Sequence, residues 1–152
     1  MSADIEVRLL NYPLDLFLRA QEHADDLLRE FVLISSSHDV DPARVRTPVR
    51  LVALVDELTT RYAGMSEVPR ADRDAAIERG EVRIDLTYVF PPQALVAVRQ
   101  LGQALDEADD FCRQGRHLLT LETPPDLVEF RHWFMGEFER QSAGQAPLPW
   151  PH

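Results

Sequence analysis

Glu129 and His132 stand one helical turn apart in "EFRHWF" and form the best general acid–base pair that the chain offers. A carboxylate three residues before an imidazole is a common spacing, and no nucleophile motif accompanies it. The chain has no G-x-S-x-G elbow, no C-x-x-C and no P-loop, and His23, His38, His117, His132 and His152 are scattered along it. "QEHADD" gathers Glu22, His23, Asp25 and Asp26, but a zinc site needs converging ligands such as two histidines at i, i+4. Here the i, i+4 pair is Glu22 and Asp26, with Arg19 and Arg29 close by for ion pairing, which describes a solvated helix face. "DEADD" at 106–110 offers carboxylates to a hard cation, yet calcium loops alternate their oxygen ligands around a glycine turn. Leu105 and Ala108 run an apolar seam through that cluster, so it reads as the polar back of a helix. The residues predict no catalytic centre, no metal and no cofactor.

The elements that would position these side chains follow from hydrophobic period. "IEVRLL" sets Ile5, Val7 and Leu9 against Glu6 and Arg8, a half-buried strand. From Pro13 to about residue 34, Leu14, Phe17, Ala20, Ala24, Leu27 or Leu28, and Phe31 recur at helical steps. "SSSHDVDPARVR" is polar and reads as a loop. Thr47 then offers a cap and Pro48 a first helical position for a stripe of Leu51, Val55, Leu58 and Tyr62, with Gly64 as its stop. "RADRDAAIER" is expected to form a short solvated helix ended by Gly80. The strongest strand spans 82–90, with Val82, Ile84, Leu86, Tyr88 and Phe90 on one face. After Pro91 and Pro92, the seam Ala94, Val98, Leu101, Leu105, Ala108 and Cys112 predicts a long packed helix ended by Gly115. "HLLTL" at 117–121 is a candidate short strand, and Thr123-Pro124-Pro125-Asp126 has the form of a capping box opening a last helix from Pro124 to about Gln141. The expected fold is α+β and helix-dominated, with four to five helices on one face of a sheet of about three strands in which 82–90 is central. Residues 1–144 are expected to form a single domain, followed by a Pro/Trp tail at 145–152.

At 152 residues, with 45% apolar and 28% charged side chains, the chain suits one domain with a real core. Every basic residue is arginine, and the arginines are spread among carboxylates at a formal net charge of −10, which weighs against nucleic-acid binding. No apolar run is long enough to span a bilayer, and "MSADIEVR" lacks the features of a signal peptide. The lone Cys112 cannot form an internal disulfide and reads as a small buried hydrophobe, so a cytoplasmic location is expected.

The order strand, helix, helix, strand over 5–90 is similar to the first half of the kinase-like ATPase domain of bacterial anti-sigma factors. That resemblance implies a glutamate and a magnesium-holding asparagine on the second helix. "LVALVDELTTRYAG" has Asp56 and Glu57, but Thr60 and Arg61 stand where the asparagine would be, and no G-x-G occurs in the chain. ATP binding is therefore not expected. The strings "EADDFCRQG", "LLTLETPP", "FRHWFMGEF" and "PLPWP", about a third of the chain, resemble a small family of high-GC Gram-positive bacteria whose members accompany anti-sigma and anti-anti-sigma regulators. This resemblance implies a regulatory or accessory protein and supplies no chemistry.

The leading functional expectation is a non-enzymatic regulatory protein that acts through a protein partner, such as an anti-sigma regulator in sigma-factor partner switching, and that forms a homodimer. Its expected interaction residues are Phe130, Trp133, Phe134 and Phe138 on the wide apolar face of the last helix, together with Trp150 in "QAPLPWP". That tryptophan is expected either to fold back onto its own domain or to enter a neighbour. The alternative is a small enzyme or ligand-binding domain with a pocket near His132 and Glu129, or using Tyr88.

Overall fold

The computed structural model describes residues 3–36, 46–114 and 122–152. Strand β1 (Ile5–Pro13) leads directly into α1 (Leu14–Ser35), followed by α2 (Arg46–Arg61), a 3-10 turn (Ala63–Ser66), α3 (Glu67–Glu78), β2 (Arg83–Phe90), α4 (Pro92–Gln114) and α5 (Pro125–Ser142). The class is helix-dominated α+β, as expected. The described residues contain two strands rather than three, paired antiparallel, and β2 therefore has β1 as its one strand neighbour among them. The third expected strand, 117–121, lies outside the described residues.

β1 runs further than its alternating pattern suggested, because a bulge at Leu10 and Asn11 rephases it. Ile5, Val7 and Leu9 pair opposite Phe90, Tyr88 and Leu86, and after the bulge Tyr12 pairs opposite Ile84. Asn11 sits at φ 56, the left-handed conformation that asparagine tolerates better than most residues. The extra residue lets Tyr12 turn inward with Val7 and Leu9, although simple alternation would have turned it out. Pro13 is consequently the last strand residue and the cap of α1, not a first-turn helical residue.

One face of the sheet is buried through Val7, Leu9, Tyr12, Leu86, Tyr88 and Phe90, while Glu6, Arg8, Asp85, Thr87 and Val89 face solvent. Against the buried face pack Ala76 of α3, Ala94 and Val98 of α4, Phe130 and Phe138 of α5, and Trp150 of the tail. A second cluster lies along the helices: Leu27 and Phe31 of α1, Leu51 of α2, and Ala104, Ala108 and Cys112 of α4. Ala108 and Cys112 stand on the expected four-and-three seam, whereas Ala104 lies beside it and is buried where Leu101 and Leu105 are only partly so. Small side chains there let α2 approach α4 closely, and Phe31 of α1 meets Phe111 of α4 edge to face at 5.5 Å.

Candidate functional site

The acid–base pair read from the sequence does not form. His132 Nε2 lies 3.0 Å from Asp106 Oδ1, and Glu129 Oε1 lies 2.6 Å from Nε2 of His152 at the chain end. Each member of the expected pair is engaged elsewhere. A cleft of about 200 Å³ does open beside His132, between α4 and α5, with Gly102 and Gly136 in its walls; Glu129 is not part of it. Its charges are spent on one another. Arg99 donates to Glu139 at 2.6 and 2.9 Å. Arg131 donates to Asp106 at 2.9 Å and to Asp109 at 2.7 Å. Burial pushes the Asp106 carboxyl up, but hydrogen bonds from His132 and Arg131 outweigh it and leave the group below its ordinary range.

Asp109 lies where the sequence pattern does not put it. Within "DEADD" it is not on a polar back: it is 6% exposed and accepts from both the backbone N–H and the hydroxyl of Thr123, at 3.1 and 2.6 Å. Thr123 therefore does not close the expected capping box, and α5 starts after Pro124 without a side-chain cap. The signal was present in the spacing, since Asp109 falls four residues after Leu105 and three before Cys112, on the seam itself. Of the "QEHADD" carboxylates, Asp26 pairs with Arg29, while Arg19 reaches across to Asp126 on α5. No group of three or more histidine, cysteine, aspartate or glutamate side chains able to hold a metal occurs among the described residues.

The aromatic residues singled out for interaction converge on one place inside the chain. Phe130, Phe138 and Trp150 are buried, and Trp133 and Phe134 are partly covered. Trp150 meets the rings of Phe130 at 5.8 Å and Trp133 at 5.5 Å. The tail is held by polar bonds as well. Trp150 N donates to Leu10 O at 3.0 Å, Asn11 Nδ2 donates to Trp150 O at 2.8 Å, and Trp133 Nε1 donates to Leu148 O at 3.0 Å. Glu137, 2% exposed, accepts from Leu148 N at 2.7 Å and from Arg140 at 2.6 Å. The β1 bulge and α5 together form a socket for the tail of the same chain. Gly144, at φ 89, turns the chain out of α5 toward it.

Two pockets with mainly apolar walls remain between the elements, and Leu101 and Phe134 line both. One, of about 370 Å³, lies between α1, α4 and α5 against Tyr12, Phe17, Leu105 and Phe130. The other, of about 410 Å³, lies beneath the end of α2 and the 3-10 turn, against Tyr62, Met65, Tyr88 and Phe138. Behind Tyr88 stands Arg73 of α3, 7% exposed, donating from Nη1 to the Tyr88 hydroxyl at 2.9 Å. Its guanidinium carbon lies 4.4 Å over the ring of Phe17. The sequence reading took this helix as solvated, yet Pro69, Arg73 and Ala76 form its buried stripe.

No known protein family matches the chain, and no curated protein sequence or solved structure matches it either.

Proposed function

We propose that this chain is a non-enzymatic binding domain that holds a small apolar molecule between α1, α4 and α5. The observation that supports this reading is the pair of pockets meeting at Leu101 and Phe134, each within the size range of small-molecule sites and each lined mainly by apolar side chains with few polar groups. The ionic cluster around Asp106 and Asp109 fits a structural role, because its charges pair with one another. The test is fluorescence titration with the neutral apolar probe N-phenyl-1-naphthylamine. Saturable, one-to-one enhancement that disappears in Ala24→Phe, which fills the α1 wall, supports the reading. A linear, non-saturating signal sinks it.

A regulatory role through a protein partner, an anti-sigma regulator or a second copy of the chain, is the second reading. The solvent-facing side of the sheet favours it, where Val89 is 50% exposed among Arg8, Asp85 and Thr87. Sedimentation equilibrium at tens of micromolar should then give a dimer that Val89→Glu disperses. A monomer throughout that range removes the self-association half of this reading.

A further inference from the structure

We propose that the molecule held in these pockets is a monocarboxylate with an apolar body, its carboxylate received by the hydroxyls of Tyr12 and Tyr88 with the guanidinium of Arg73 behind them. The proposal rests on the apolar-ligand reading above and names the chemistry of its head group.

Among the described residues two arginines lie deep, and they are partnered differently. Arg131 faces two carboxylates, Asp106 and Asp109. Arg73 has no carboxylate partner among the described residues, and its Nε, like that of Arg131, is buried without a hydrogen-bond partner. The two phenols of Tyr88 and Tyr12 and one aromatic face are its compensation. A buried cation left in that state is costly, and a methionine would fill the same space without the cost. Packing therefore gives no reason for a guanidinium at this position, whereas an anion arriving from outside does.

The tyrosines supply the link between the arginine and the pockets. The Tyr88 hydroxyl accepts from Arg73, which leaves its own proton free to donate and strengthens it as a donor. Tyr12 feels both groups: burial raises its pKa, the neighbouring Tyr88 adds to that, and Arg73 partly opposes it. Tyr12 therefore remains a neutral O–H donor at physiological pH. Tyr12 and Phe17 line one pocket and Tyr88 lines the other, while Arg73, which lines neither, stands behind and is bonded to both tyrosines. One guanidinium and two hydroxyls suit a single negative charge. A phosphate dianion would bring more charge and more acceptors than these groups can satisfy.

The test is displacement of bound N-phenyl-1-naphthylamine by decanoate and by decanol, which share a chain length and differ in the head group. Decanoate should compete about tenfold or more tightly than decanol, as expected for hydrogen bonds to a charged group. Arg73→Met should abolish that preference, retain decanol binding, and leave the ligand-free thermal midpoint unchanged or raised. Tyr88→Phe should reduce the preference in the same direction and serves if Arg73→Met does not fold. Equal competition by the two molecules in the native chain overturns the carboxylate site and leaves the apolar pocket standing. A lowered midpoint in Arg73→Met with the preference intact assigns the guanidinium to structure and also overturns the proposal. Failure of the probe to bind overturns both readings.

Discussion

Around the sheet, the largest buried side chains are broad aromatics drawn from distant parts of the chain: Tyr12, Tyr88, Phe90, Phe130, Phe138 and Trp150. At the other end, where α1, α2 and α4 meet, the cluster is Leu27, Phe31 and Leu51 against Ala104, Ala108 and Cys112. The two regions stay together by different means. In the helical region, size does the positioning: large residues on α1 and α2 lie over small ones on α4, and apart from the buried Asp109 the polar groups stay outside, with Arg50 reaching Glu107 across the surface at 2.8 Å. In the sheet region, rings tolerate many arrangements, and buried or half-buried polar groups choose among them. Asn11, Glu137 and Gln141 each bind backbone atoms of another segment. The helical end should therefore respond to lost volume, and the sheet end to lost hydrogen bonds as well.

The largest effect should come from the tail. Deleting residues 145–152 removes Trp150 and the bonds at Leu10 and Glu137. It should lower stability by about 3–5 kcal/mol, the scale of losing a buried tryptophan. The loss should be independent of protein concentration in chemical unfolding, since the socket belongs to the same chain. An unchanged midpoint would show that Trp150 contributes nothing to this domain.

In the helical region Leu51→Ala should cost about 2–5 kcal/mol through transfer and cavity terms alone. Ala104→Leu should also destabilise, by about 1–3 kcal/mol, because there is no room to gain. A stabilised Ala104→Leu would break the contrast between the two regions.

Asn11→Ala should cost about 1–2 kcal/mol, from a left-handed residue without asparagine's tolerance and from the lost bond to Trp150 O. Asn11→Gly should recover the backbone part and not the bond. Equal losses in the two variants would mean that the positive φ carries no cost.

The smallest effect concerns Cys112. Burial first, then the charges of Asp109 and Glu122, push its thiol from 9.0 to about 11. Its raised folded pKa gives stability that is complete below about pH 9 and is lost as pH rises toward 11, because the unfolded chain ionises first. Iodoacetamide at pH 8 should modify the native protein only as fast as it opens. Rapid alkylation would show that the α4 seam is not closed over it.

This contrast also explains what could be read in advance. Helical period exposes a size-driven region directly, so Ala94, Val98, Ala108 and Cys112 of the α4 seam were legible, although Ala97 and Ala104 are buried more deeply than the expected Leu101 and Leu105. Polar residues inside a seam were misread, since Asp109 and Arg73 look like surface charges until their neighbours at three and four residues are counted. The bulge at Leu10 and Asn11 was invisible to a period-2 pattern, because an inserted residue resets the phase without changing composition. The clasp of Trp150 was legible as one of two outcomes. Its socket was not, since it joins β1 to α5 across more than a hundred residues and rests on single side-chain hydrogen bonds. The pockets depend on three helices meeting, which no local pattern reports.

Gln141 is a small feature with a wider reach. Its side-chain amide accepts from Arg8 N–H and donates to Arg8 C=O, both at 2.8 Å, as a neighbouring strand would do. With Trp150 N on Leu10 O, it closes the outer margin of β1. A chain cut back past residue 141 would present that margin bare, and a bare strand margin is a template for another copy of itself. Proteolytic trimming of the C-terminus should therefore announce itself as light scattering that grows with protein concentration, a fault of solubility more than of folding. Gln141→Ala should show the same tendency in milder form, and Gln141→Glu, which can accept from Arg8 but not donate back, should fall between.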